Sequence, residues 1–277
     1  MVLVFGKDIN MEAMKYQLEN GFLAYDQFGK GIPLLLIHGY PLSRKIWNAQ
    51  MDGLSDIATM VRMDLRGHGE SFPFEGEYKM DVLAEDCYKL LNHLNINPPI
   101  IVCGLSMGGY VAFSLYNHYP QLFKGMILTS TRAVADSPEG KVSREASIKK
   151  ARKNGITSIV DGMLPKLVSP FTLTTKKELV STIREIMMAT SVDGVVGALQ
   201  GMRDRPDSTP LLTQIKCPTL IIHGADDQII PLREVDNMSQ QLLGSHMCVI
   251  PQAGHLPNME QPERYNRSIR EFVSSLS

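Results

Sequence analysis

Short apolar, β-rich runs recur along the chain: FLAYDQFG, LLLIHG, MVRMDLRG, IIVCG, GMILTST, TLIIHG and MCVIP. Most are separated by stretches with helical spacing. In MDVLAEDCYKLLNHLNI, for example, Val82, Leu83, Cys87, Leu90, Leu91 and Leu94 repeat at i, i+3 and i+4. Strands that are apolar on both faces and alternate with helices cannot leave either face in water. They predict an α/β fold, a mostly parallel central sheet flanked by helices on both sides.

The alternation stops after GMILTST and resumes at CPTLIIHG. The intervening stretches SPEGKVSREASIKKARKNG, GITSIVDGMLPKLV, TTKKELVSTIREIMMATS and SVDGVVGALQGMRD read as helices, with Ser137 a cap before Pro138 at the first helical position. A helical segment of about 75 residues makes only a marginal core alone. The expected division is a core over 1–131 and 214–277, with a helical cap, or lid, inserted at 132–213.

At 277 residues, 44% hydrophobic and 21% charged, the chain has an ordinary globular composition. A formal charge of −1 offers no basic surface for a nucleic-acid backbone, so no nucleic acid is expected as partner and a small molecule fits better. The first twenty residues lack a signal-peptide apolar run, and no run approaches a membrane span, so the expectation is a cytoplasmic protein with no membrane association, monomeric or homodimeric. Cys87, Cys103, Cys217 and Cys248 are far apart and form no C-x-x-C pair, which suggests neither a disulfide framework nor a zinc site. No metal is expected.

Residues 100–113, IIVCGLSMGGYVAF, run from a strand pattern through a glycine-flanked serine into a helix pattern. A serine on so sharp a turn, Ser106, needs a strained backbone, and Gly104 and Gly108 remove the side chains that would clash there. The turn puts backbone N–H groups at a helix start, where negative charge is favoured. A serine hydroxyl is a weak nucleophile unless a base, oriented by a third group, takes its proton. With the order Ser, acid, His that this fold uses, His38, His68 and His93 come too early in the chain. His118 lies at the far end of the helix that begins at Ser106, about 18 Å away. His223 precedes the acid candidates, and His246 falls at the opposite edge of the sheet. His255, in the loop after MCVIP, is the base. Asp226 and Asp227 both follow TLIIHG, and only one of two adjacent side chains on a tight loop can reach the imidazole.

Five motifs stand in order at strand ends: HGYP at 38–41, DLRGHGES at 64–71, GLSMGG at 104–109, GADDQIIP at 224–231 and AGHLPNMEQPE at 253–263. Together they resemble the α/β-hydrolase family over nearly the whole chain. The resemblance implies Asp227, fourth residue of the G-x-x-D-x-x-x-P loop, as the orienting acid, with Asp226 the alternative. It also implies an oxyanion hole built from the backbone N–H groups of Tyr40 and Met107. In relatives the DLRGHGES loop is structural, so Arg66 and His68 are not expected to act on substrate.

The implied activity is that of a carboxylesterase-type serine hydrolase, cleaving short to medium acyl esters through an acyl-enzyme and needing no cofactor. A serine nucleophile disfavours the dehalogenase and epoxide hydrolase branches, which use Asp. The chain is similar both to capped carboxylesterases and to 3-oxoadipate enol-lactonases. Lactone hydrolysis is therefore the alternative, with carbon–carbon hydrolase, perhydrolase and non-enzymatic ligand receptor behind it. Expected pocket residues are Leu42, Trp47, Met163, Leu167, Phe171, Met188, Ile229 and Leu256. Few basic residues are expected beside the serine, so a strongly anionic substrate lacks an obvious partner, although Arg132, Arg203 and Arg205 near the cap hinges are available to one.

Overall fold

In the computed structural model, residues 13–276 are described. Eight strands form one sheet: β1 (Met14–Leu18), β2 (Gly21–Gly29), β3 (Ile32–Ile37), β4 (Ala58–Met63), β5 (Ile100–Leu105), β6 (Phe123–Thr129), β7 (Thr219–Gly224) and β8 (His246–Ile250). Their order is β1-β2-β4-β3-β5-β6-β7-β8. β2 runs antiparallel to both β1 and β4, and every pairing from β4 to β8 is parallel. The expected α/β architecture is present. Seven of the strands coincide with the apolar runs; β1, MKYQL, was not among them. It sits on the sheet edge with three of its five residues exposed, and so lacks the apolar signature of its neighbours.

Period-two alternation divides the central strands between two cores. Leu35, Ile37, Val102 and Leu128 face one layer with Leu83, Cys87, Leu90 and Val111. Leu34, Leu36, Ile101, Cys103 and Leu105 face the other with Tyr265, Ile269 and Phe272. The helices Met80–His93 and Met107–His118 cover the first face and Pro262–Ser275 the second. Burial on both sides is why strands such as IIVCGL show no polar alternation at all.

Between β6 and β7 the chain forms the helices Pro138–Leu167, Pro170–Thr175, Lys177–Met188, Val192–Arg203 and Thr209–Leu212, and no strand. Ser137 caps the first through a bond from the Gly140 amide, as its sequence indicates. The long helix is kinked at Gly155, whose φ of 71° is left-handed. These helices are tied to the loops at the carboxyl edge of the sheet. Thr190 donates its hydroxyl to Pro41 O (3.1 Å), Ser191 to Gly67 O (3.3 Å), and the His255 amide donates to Leu167 O (2.9 Å). Among the described residues no helix is long and apolar enough to cross a membrane.

Candidate active site

Parallel pairing aligns the strand ends. Leu105 stands beside Thr129, Thr129 beside Ile222, and Gly224 beside Ile250. The loops after β5, β7 and β8 therefore emerge at one edge, with β5 and β7 two strand spacings, or about 10 Å, apart.

Ser106 occupies the turn between β5 and the helix Met107–His118 with φ 53° and ψ −112°, a conformation that costs a non-glycine residue on the order of 1–3 kcal/mol. The surroundings hold it there. Its amide donates to Thr129 O (2.9 Å), and the Thr131 hydroxyl donates to its carbonyl (2.8 Å). A Cβ on Gly104 would lie 2.2 Å from Gly108 O, the two-residue clash expected from the sequence. Gly108 has a different reason to be glycine: its Cβ would lie 2.2 Å from Ile37 O, so bare backbone lets the helix start press against the end of β3.

His255 is fully buried, and its Nδ1 lies 2.8 Å from Asp227 Oδ2. Its Nε2 is buried and meets no partner among the described residues. No hydrogen bond joins it to Ser106 Oγ, and such bonds commonly tighten only when a substrate is bound. The other oxygen of Asp227 accepts the amides of Ile229 (2.8 Å) and Ile230 (3.1 Å). Burial pushes the Asp227 carboxyl up, but the His255 charge and bond together with the two amides outweigh it, so the net shift is downward. Asp226 is exposed, and only its amide is engaged, by Ala253 O (2.9 Å). The loops after β7 and β8 are joined further by the Ala225 amide on Ile250 O (2.9 Å). Glu260 braces the His255 loop, accepting the amides of Gly254 (2.7 Å) and Ser169 (2.8 Å) on its two oxygens.

Two residues here escaped the sequence reading. His223, set aside for its place in the chain, lies with Nδ1 3.7 Å from Asp227 Oδ2, and burial lowers its pKa most, so a neutral imidazole flanks the carboxylate. Its i, i+4 spacing to Asp227 was the available signal. Thr131 offered none, since nothing local marks a threonine that will hold the Ser106 carbonyl.

On the other side of Ser106, the amides of Tyr40 and Met107 form no hydrogen bond among the described residues. The Gly39–Tyr40 peptide is oriented by His38, whose Nδ1 lies 2.8 Å from Gly39 O while its Nε2 accepts the Leu65 amide (2.9 Å). The DLRGHGES loop is pinned by its own contacts. Asp64 accepts the amides of Arg44 (2.6 Å) and Glu70 (2.9 Å) and pairs with the Arg44 guanidinium; Arg66 is held by Asp86 (Nη2–Oδ1, 2.8 Å).

Of the expected pocket residues, Leu42, Trp47, Leu167 and Leu256 are fully buried in the second core layer, and Met163 and Ile229 border both layers. Trp47 packs with Tyr265, ring centroids 6.3 Å apart. Phe171 and Met188 are the most exposed of the set, each at 38%. In Lys177–Met188 the inward stripe is Ile183, Ile186 and Met187, so the next residue is turned about 100° outward. In the short helix Pro170–Thr175 Thr172 is buried and Leu173 packs against the second core layer, while Phe171 is exposed. Arg203 is committed to Asp204 and Glu145 (2.8 Å).

A hydroxyl on a strained turn, an imidazole with one nitrogen tied to a carboxylate and the other open, and two unused amides, one of them at a helix start, are the parts acyl transfer requires. A family model described as the alpha/beta hydrolase fold matches residues 32–163 and 189–262. The 3-oxoadipate enol-lactonase 2 of Acinetobacter baylyi is 28% identical over 253 residues, 91% of this chain and 92% of its own length. Among solved structures, a thermophilic esterase from Thermogutta terrifontis, malate bound, superposes with a TM-score of 0.92 at 40% identity, covering 96% of this chain and 99% of its own. The enol-lactonase from Burkholderia xenovorans gives a TM-score of 0.88 at 24% identity, covering 94% and 100%, a likeness of fold alone.

Proposed function

Because the chain belongs to the α/β-hydrolase family, we propose that it is a serine hydrolase cleaving carboxylic esters of short to medium acyl chains through an acyl-enzyme. Ser106 Oγ attacks the ester carbonyl while His255 Nε2 takes its proton. Asp227 holds the ring and stabilises the imidazolium that forms. Charge developing on the carbonyl oxygen is met by the amides of Tyr40 and Met107; losing one such donor typically costs about 2.7–4 kcal/mol of barrier. The imidazolium returns its proton to the leaving alcohol. Water, activated by the same base, then releases the acid.

The observation that supports this reading best is the asymmetry of His255: Nδ1 is bound by a carboxylate, and Nε2 is buried yet unpartnered, at the edge where Ser106 sits. Apolar acyl chains would meet Met163 and Ile229, which keep accessible surface; Leu42, Leu167 and Leu256, which have none, can only back that wall. A fluorophosphonate tests the proposal. It should add once, on Ser106, and Ser106→Ala should lose both labelling and turnover while melting like the parent; labelling elsewhere, or turnover surviving in the variant, overturns it.

Lactone hydrolysis is the second reading, favoured by the identity to the Acinetobacter enol-lactonase. It needs the same residues, with the leaving alcohol still tethered to the acyl group. A panel of p-nitrophenyl esters of rising acyl length run beside lactones separates the two by kcat/KM.

A further inference from the structure

Next to the Ser106 turn lies a charged cluster for which ester cleavage as described has no use. Asp136, its side chain 1% exposed, receives three guanidinium groups. Arg132 Nη2 (2.9 Å) and Arg205 Nη1 (2.7 Å) bind Oδ1, and Arg144 Nε (2.7 Å) binds Oδ2. The only other carboxylate bonded into the cluster among the described residues is Glu234, held by Arg132 Nη1 (3.0 Å). Three cations thus share two anions, and one positive charge is left over.

The three arginines are not equivalent. Arg132 spends both terminal nitrogens on Glu234 and Asp136. Arg205 spends its own on Asp136, Met202 O (2.8 Å) and Val134 O (2.7 Å), with its guanidinium 4.0 Å from the centroid of the Tyr110 ring. Arg144 is bound through Nε alone, and its Nη1 and Nη2 meet no acceptor among the described residues. A guanidinium clamped in this way is already oriented and presents a free pair of donors, the geometry that matches a carboxylate.

A second observation points the same way. The Tyr40 hydroxyl is buried and has no hydrogen-bond partner, a state that ordinarily costs about 1–3 kcal/mol. Burial raises its pKa, so the phenol is neutral, and the neighbouring Gly39 would put a Cβ 3.2 Å from Ser106 Cβ, which sets Tyr40 beside the same turn that the cluster adjoins. Tyr40 is also the residue whose amide is assigned above to the oxyanion. The cluster adjoins Ser106 through Thr131, which holds the Ser106 carbonyl and directly precedes Arg132, and through Tyr110, one turn along the Ser106 helix.

We propose that the Arg144 guanidinium and the Tyr40 hydroxyl bind a carboxylate carried by the substrate, so that the site prefers esters bearing a free carboxylate, such as half-esters of short dicarboxylic acids, over neutral esters of equal length. This rests on the hydrolytic reading for turnover, though not for binding. The excess charge of the cluster is then neutralised only when substrate is present, and the phenol gains its missing acceptor.

The test compares mono-p-nitrophenyl glutarate with p-nitrophenyl pentanoate on the full chain. The parent should favour the anionic ester in kcat/KM by roughly tenfold or more, Arg144→Gln should lower that ratio by a similar factor, and Arg144→Lys should restore part of it. A role confined to bracing Asp136 would depress both esters alike and leave the ratio where it was, which overturns the proposal, as does a parent with no preference. Glutarate binding to Ser106→Ala, read by calorimetry, needs no turnover. Binding weakened about tenfold by adding Arg144→Gln supports the site even if no ester is cleaved, in which case only the hydrolytic reading is lost.

Discussion

The loop after β3 and the loop after β8 each carry a fully buried histidine beside a glycine, yet the two imidazoles are wired differently. His38 uses both nitrogens on backbone, one toward Gly39 O and one receiving the Leu65 amide. His255 uses one nitrogen on a carboxylate and leaves the other open. A ring whose two nitrogens are both committed can orient neighbouring loops but has no lone pair to offer a substrate. Burial, aided by the Arg44 charge and only partly opposed by the Gly39 bond, lowers the His38 pKa to about 4, so it stays neutral in the fold. The partner atoms, rather than burial or residue type, separate a structural histidine from a chemical one.

That contrast can be broken most directly at His255. His255→Ala should lower kcat by at least about 10³, read on protein shown to be folded by circular dichroism. Asp227→Asn, which keeps the shape but withdraws the charge, should cost roughly a factor of ten less; both are read by steady-state ester hydrolysis. An active His255→Ala enzyme would remove the distinction altogether.

His38→Ala should reverse the balance. It orphans the Gly39 carbonyl and the Leu65 amide and opens a void, so about 2–4 kcal/mol of stability should go, measured by urea unfolding, with a smaller loss of rate than at His255. A stability change below about 0.5 kcal/mol would show that the two bonds are dispensable.

Acid sharpens the same point. In the unfolded chain His38 takes up a proton near the ordinary imidazole value of 6.5, whereas in the fold it does so only near 4. The unfolded state therefore binds more protons between those values. The contribution of His38 is intact above pH 6.5 and is lost as pH falls toward 4, by up to about 3 kcal/mol at 1.4 kcal/mol per unit. His68, lowered to about 3 mainly by burial and secondarily by His38, adds in the same direction. Thermal midpoints recorded from pH 7.5 to 4.5 should decline steadily below 6.5, and a flat profile would contradict the neutral buried pair.

The smallest effects belong to the outward-facing residues. Phe171→Ala and Met188→Ala should each change stability by no more than about 0.5 kcal/mol and leave acyl-length preference where it is. A shift in that preference would return them to the pocket wall.

Much of the candidate site could be read in advance because its pieces are short, contiguous and placed at strand ends: GLSMGG, GADDQIIP and AGHLPNMEQPE each contain both the candidate residue and a glycine of the loop. What escaped was whatever depends on partners remote in the chain. β1 has no apolar alternation to announce it, because one side of an edge strand pairs only with β2. The facing of Met188 turns on a helical phase that one residue alters. The Asp136 cluster draws on positions 132, 144, 205 and 234, none of which is marked by its neighbours.

Taken alone, the sequence determined the parallel sheet, the strained serine turn and the two loops from which an acid and a base would come, since each follows from local periodicity and steric demand. The tertiary structure decided between Asp226 and Asp227, because only the folded loops bring one carboxylate within 2.8 Å of His255 and leave the other exposed. It also decided that three arginines converge on Asp136, because which charges meet depends on chain segments brought together by packing, and no local pattern encodes that meeting.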